Sequence, residues 1–271
     1  MAKTRLGQVF LKDPSWAKRI VEALEFDQDS WVIEIGPGGG ALTRFLIPLA
    51  EEKGLAPERV VLVEKDPYLA IKLKARWPEV RVLNTEAQRL SLKKIGEAPF
   101  AVIGNLPYYV SSQILINLLS QAELITNMVL MFQKEVAQRI AAQPGSRDFG
   151  RLSALTTPYF STKVLGTIKG SLFAPRVDVD SQVIVFKRDL KQGAPADFER
   201  YSEFVNALFA QPRRTVENSL SIGLHVSKQE LKDKVEGCGI NGSLRPFQVT
   251  LKEILCLFRV LFLDHGINRG N

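Results

Sequence analysis

Five short apolar runs rich in β-branched residues recur between helical patterns: "WVIEIG" (31–36), "RVVLVEK" (59–65), "VRVLN" (80–84), "FAVIGN" (100–105) and "NMVLMFQ" (127–133). Continuous apolar runs, as opposed to every-second-residue ones, belong to strands covered on both faces. Helices placed between such strands join them in parallel. The order therefore predicts an α/β fold of Rossmann-like type, with a mostly parallel central sheet.

Local signals place helices around this sheet. In "DPSWAKRIVEAL", Asp13 is set to cap a helix, Pro14 to occupy its first position, and Trp16, Ile20 and Leu24 to form its apolar face. Leu42, Phe45, Leu46 and Leu49 share one helical stripe, which Pro48 is expected to kink or shorten. After "VDSQVIVFKR" (179–188) the pattern changes at "DLKQGAPAD", which reads as a linker, and the remainder is helical in period. There Ser227 with Glu230 and Thr250 with Glu253 form capping boxes, with Val226/Leu231 and Val249/Ile254 as hydrophobic staples. Two domains are expected: residues 1–189, bearing the sheet, and a small all-helical domain over 190–271.

No apolar run approaches the ~20 residues of a membrane span, and "MAKTRLGQVFLKD" lacks the apolar core of an export signal, so a cytoplasmic protein is expected. In that setting Cys238 and Cys256 are expected to be reduced thiols. The two histidines, His225 and His265, have no metal-type spacing with cysteine or carboxylates, so no metal site is expected. A net charge of +7 and a pI near 9.4 suit a polyanionic partner.

The first run leads straight into "GPGGG" and a helix, a context in which glycines let the chain turn sharply and let a nucleotide approach the backbone. Gly36 and Gly38 belong to this turn. Glu64, at the end of the next strand, can accept hydrogen bonds from both hydroxyls of a ribose. Asn105 ends the fourth run, and Pro107 keeps Leu106 out of helical geometry. The Asn105 side-chain oxygen and the Leu106 carbonyl thus become two acceptors on a stiff turn beside Tyr108. An adenine amine is a poor nucleophile because its lone pair is delocalised into the ring. Two acceptors gripping its N–H groups favour a tetrahedral nitrogen and aim the lone pair at an electrophilic methyl group, while Tyr108 supplies a stacking face. By that logic Asn105→Asp, which keeps an acceptor and the shape, should retain more activity than Asn105→Ala.

Basic residues in "KTR", "KDPSWAKR", "GSRDFGR" (145–151) and "PRRT" (212–215) suit phosphate contacts, with Arg147, Arg151, Arg213 and Arg214 as candidates.

Taken in order, "LGQVFL" (6–11), "EIGPGGG" (34–40), "GNLPYYVSS" (104–112), "GRLS" (150–153), "FAPRVDVDS" (173–181) and "QPRRTVENSL" (211–220) resemble a KsgA-type ribosomal RNA adenine dimethyltransferase. The resemblance implies a class I methyltransferase domain that uses S-adenosyl-L-methionine. It implies dimethylation of the N6 amines of two adjacent adenines near the 3′ end of small-subunit rRNA, in immature 30S subunits, by a monomer whose helical C-terminal domain contributes to RNA recognition. It also implies a cofactor site of Val9, Leu11, Gly36, Gly38, Glu64, Glu86 and Asn105, and a catalytic set of Asn105, Leu106, Pro107, Tyr108 and Phe173, with Phe173 closing on the base opposite Tyr108. Two positions depart from the family. Val9 stands where Asn or His is usual, and Glu86 stands where Asp is expected to hold the cofactor's adenine amine. Competing readings are a large-subunit rRNA adenine methyltransferase of the antibiotic-resistance type and a non-catalytic ribosome-assembly factor on the same scaffold.

Overall fold

The computed structural model describes residues 9–189 and 194–264. Lys3 and Arg5 of the first basic segment, Leu6 to Gln8 of "LGQVFL", residues 190–193 of the linker and His265 lie outside the described residues. The chain divides into two compact units, Met1–Ala137 with Ser161–Arg188, and Gln138–Phe160 with Asp189–Asn271.

In the first unit the chain runs through β1 (Phe10–Leu11), α1 (Pro14–Glu22), β2 (Trp31–Ile35), α2 (Thr43–Glu52), β3 (Val60–Glu64), α3 (Pro67–Arg76), β4 (Arg81–Asn84), β5 (Phe100–Asn105), α4 (Ser111–Leu119) and β6 (Ile125–Gln133). Helix α5 (Lys134–Ala141) passes into the second unit, where α6 (Arg151–Thr156) follows. The chain returns through β7 (Phe160–Ile168), β8 (Phe173–Ala174) and β9 (Ser181–Arg188). Seven strands form one sheet in the order β4-β3-β2-β5-β6-β9-β7, and β1 pairs with β8 as a separate ribbon. Strands β4 through β6 pair in parallel, and β9 runs antiparallel against β6. All five runs of the sequence are strands. Val32, Ile33, Val61, Leu62, Val102 and Ile103 are fully buried, as expected of a sheet with helices on both faces.

The helix ends follow from local chemistry. Asp13 Oδ1 accepts from Ser15 N at 2.8 Å and Trp16 N at 3.0 Å, with Pro14 at the first position. Ile20 and Leu24 are buried and Trp16 is half-buried against the core. Helix α2 is not cut short by proline: it runs through Pro48, which lies on the exposed side, where the carbonyl deprived of its N–H partner faces water.

The second unit continues with α7 (Phe198–Leu208), α8 (Val216–Leu224), α9 (Lys228–Gly237) and α10 (Leu251–Phe258). Both capping boxes form, with Ser227 and Glu230 opening α9 and Thr250 and Glu253 opening α10. Its core is aromatic: the Tyr201 and Phe258 rings lie 5.1 Å apart, and Phe204 sits 5.7 Å from both Phe258 and Phe262. The buried Tyr201 hydroxyl donates to the Ala154 carbonyl at 2.9 Å, tying residues that precede the linker to α7. One expectation is corrected here: Cys238, at the end of α9, and Cys256, inside α10, form a disulfide with Cα atoms 5.7 Å apart. Both lie in the second unit, and a sequence separation of 18 conceals their closeness.

Candidate active site

The carboxyl ends of β2, β3, β4 and β5 meet at one edge of the sheet, where open α/β folds take ligands. A cleft of about 1000 Å³, counted to its open mouth, lies there. It is lined by Val9, Leu11, Gly36, Gly38, Glu64 and Glu86, and by the turn from Asn105 to Tyr109. Sequence positions as distant as 9 and 114 converge on it.

Its floor is the glycine turn. Gly36 and Gly38 have φ of +65° and +56°, a region that disfavours side chains. A Cβ on Gly38 would also come within 2.6 Å of the Phe10 ring, so this glycine lets the N-terminal strand pack over the loop. Glu64 is buried. Its Oε2 accepts from Gly38 N at 3.0 Å and its Oε1 from Asp66 N at 2.9 Å, an arrangement that aims the carboxylate into the cleft. Each oxygen keeps a further lone pair for a ligand hydroxyl. Burial raises the Glu64 pKa, against the lowering effect of these two N–H groups. Glu34, also buried in the cleft wall, is pushed up to about 8 by burial, although Thr43 Oγ1 donates to its Oε2 at 2.8 Å. At the far end Glu86 pairs with Lys65 at 2.6 Å and with Arg89 at 3.5 Å.

The opposite wall is the turn after β5. Asn105 Nδ2 donates to the Val9 carbonyl at 3.0 Å. A carbonyl only accepts, so the amide must face it with nitrogen, which leaves the Asn105 oxygen as the free acceptor edge. The Leu106 carbonyl stands outside the helical ladder, whose first bond runs from Val110 N to the Pro107 carbonyl. Tyr108 is half-buried, its hydroxyl 2.7 Å from Ser181 Oγ, and burial raises its pKa. Phe173 is placed differently. Paired across β8 and β1 with Leu11, it is fully buried in the core and is not among the cleft-lining residues.

Arg147, Arg151, Arg213 and Arg214 all belong to the second unit and are all exposed. Phe149 and Phe209, with ring centroids 6.1 Å apart, bring the segment carrying Arg147 and the first residue of α6, Arg151, against the segment leading to the second pair. Among the described residues none of the four takes part in an ion pair.

Sequence reasoning passed over Ser181, Lys65 and Tyr109. Ser181 closes the quoted "FAPRVDVDS" and Lys65 follows Glu64 directly, so both were adjacent to recognised signals. Their partners, however, come from the turns that follow other strands.

The family model for "Ribosomal RNA adenine dimethylase" matches residues 1–254. The chain belongs to the ribosomal RNA adenine dimethylase family. Among its relatives, the "Ribosomal RNA small subunit methyltransferase A" of Chlorobium phaeobacteroides is 37% identical over 91% of this chain and 90% of the relative. The protein of the same name from Koribacter versatilis is 35% identical over 96% and 94%. A dimethyladenosine transferase from Plasmodium falciparum shares the fold with a TM-score of 0.76 at 22% identity, covering 92% of this chain and 95% of its own. The 23S rRNA methyltransferase ErmE has a TM-score of 0.66 at 27% identity, covering 92% and 98%.

In this dimethylase the residues present fit S-adenosylmethionine. A buried carboxylate faces the cleft for ribose hydroxyls, a second carboxylate suits an amine at the far end, and the glycine turn lies between the strands that end in Glu64 and Asn105. The valine at position 9 acts through its backbone, since its carbonyl anchors Asn105 and no side-chain polar group is used.

Proposed function

We propose that the dimethylase modifies the N6 amines of two adjacent adenines near the 3′ end of small-subunit rRNA, within immature 30S particles in the cytoplasm, and that it works as a monomer. The observation that carries this reading is the tether of Asn105 to the Val9 carbonyl. It presents the amide oxygen, next to the Leu106 carbonyl, as a ready pair of acceptors.

S-adenosylmethionine, when bound, supplies an electrophilic methyl group on a sulfonium; Glu64 would hold its ribose and Glu86 its adenine amine. The Asn105 and Leu106 oxygens accept the two N–H groups of the target amine, drawing its lone pair out of the ring and toward the cleft. No base has to remove a proton before attack: the amine nitrogen forms its N–C bond as the S–C bond breaks, and then sheds its proton to solvent. For the second methyl the one remaining N–H uses one of the two acceptors, so the contribution of the protein is positioning and electrostatics. Tyr108, fixed through Ser181, offers its ring to the extruded base. Pro107 stiffens the turn that carries both acceptors. Phe173 would need to leave its buried position to meet the base, which assigns it a role only after rearrangement of the β1–β8 ribbon.

We assign residues 1–189 to catalysis and 190–271 to RNA recognition, except that residues 138–160, which cluster with the C-terminal helices, go with the latter. The exposed arginines of the second unit, Arg147 and Arg151 included, contact the RNA backbone. The names of the relatives support a small-subunit substrate over the large-subunit one in the name of ErmE. The intact acceptor pair supports an enzyme over a non-catalytic assembly factor.

The test is transfer of labelled methyl groups to small-subunit particles from cells lacking this modification, with the modified nucleotides mapped. Label is expected on two adjacent adenines as N6,N6-dimethyladenine. Label on large-subunit particles instead, or none on either, overturns the reading.

A further inference from the structure

At the end of the cleft remote from Asn105, Lys65 reaches from the end of β3 to the turn after β4, where its Nζ lies 2.6 Å from Glu86 Oε1. Arg89 Nε approaches the other oxygen, Oε2, at 3.5 Å. Contact with Lys65 lowers the Glu86 pKa and contact with Glu86 raises that of Lys65, to which the Tyr109 hydroxyl adds in the same direction. Lys65, Glu86 and Tyr109 all line the cleft.

Ion pairs as open as this one, with side chains 42% and 29% exposed, contribute little to folding. The consequence of this pair is geometric. A glutamate stem has one more rotatable bond than an aspartate, and an untethered carboxylate on it would sample several rotamers at the mouth of the cleft. Lys65 takes up one lone pair on one oxygen and Arg89 faces the other at ion-pair distance, which leaves lone pairs for a ligand.

We propose that Lys65 is a positioning residue that fixes the Glu86 carboxylate so that the cleft prefers a 6-amino purine nucleoside over a 6-oxo one. The proposal rests on the S-adenosylmethionine reading and on Glu86 as acceptor of the adenine amine. A 6-amino group presents donors to the carboxylate. A 6-oxo group presents an acceptor, which a pinned carboxylate cannot turn away from.

Titration calorimetry with S-adenosylhomocysteine and with S-inosylhomocysteine, its 6-oxo analogue, tests this on the full chain, comparing the parent with Lys65→Met and Lys65→Arg. The parent is expected to favour the adenosyl ligand by on the order of tenfold or more, as for a charge-assisted hydrogen bond exchanged for a repulsive contact. Lys65→Met should shrink that preference to about threefold or less, through weaker adenosyl binding together with inosyl binding that is equal to the parent's or tighter, since a released carboxylate can turn away from the 6-oxo group. Lys65→Arg should restore most of it. A Lys65→Met variant that keeps the parent's preference, or that weakens both ligands alike, overturns the proposal. A parent that binds both ligands equally overturns it too while leaving the cofactor reading intact, whereas a parent that binds neither removes the cofactor reading itself.

Discussion

Replacing Asn105 by aspartate exchanges a donor for an acceptor at a point where the structure requires a donor. On sequence grounds the change is mild, because shape and one acceptor survive. The fold places the Val9 carbonyl 3.0 Å from the Asn105 side-chain nitrogen. A carboxylate oxygen at that point would meet the carbonyl lone pairs directly, so the side chain must rotate away or take up a proton. Rotation removes the preorganised acceptor from the target amine, a loss that costs about a hundred- to a thousandfold in rate. The missing bond to Val9 adds about 1 kcal/mol of lost stability. Asn105→Asp should therefore fall at neutral pH to roughly the rate of Asn105→Ala. Facing the carbonyl raises the pKa of the introduced carboxyl. In its protonated form it can donate to Val9 and still offer an acceptor, so the variant-to-parent rate ratio should climb as pH falls. Single-turnover methyl transfer at saturating cofactor and RNA, over a pH series, reads this directly. An aspartate variant matching the parent at neutral pH, or a ratio that declines toward acid, would refute the reasoning.

Glu64→Ala should weaken cofactor binding about tenfold to a hundredfold by titration calorimetry. It should also lower the melting temperature, because the Gly38 and Asp66 N–H groups lose their acceptor. Glu34, held near 8 in the fold against an ordinary value of 4.5, binds more protons folded than unfolded between those pH values. The contribution of Glu34 to stability should therefore be fully present below about pH 4.5 and be lost as pH rises toward 8, on the order of a few kcal/mol. Glu34→Gln should flatten that slope in denaturant titrations at several pH values. Replacing Arg213 and Arg214 together with alanine should weaken rRNA binding, spare cofactor binding, and reduce the salt slope by about one to two. An unchanged slope would mean that neither arginine meets a phosphate.

What the sequence determined by itself are features decided by near neighbours. The five strands are continuous apolar runs bounded by turns, Asp13, Ser227 and Thr250 cap helices through residues two or three positions away, and Gly36 and Gly38 mark a turn that needs positive φ. That Glu64 and Asn105 would line one cleft was legible because each ends a strand, and strand ends in such a sheet share one edge. The tertiary structure alone decided which distant groups meet. Asn105 finds its anchor 96 positions away at Val9, Tyr108 finds Ser181 across 73, and Cys238 joins Cys256. Phe173, read as an aromatic for the base, is taken into the core by its pairing with Leu11. Residues 138–160 join the C-terminal helices even though the linker follows them in the chain. An apolar or polar pattern states that a side chain will be buried or bonded, but its partner is set by strand order and helix packing. Those depend on the free energy of the whole assembled core, which no local window of residues contains.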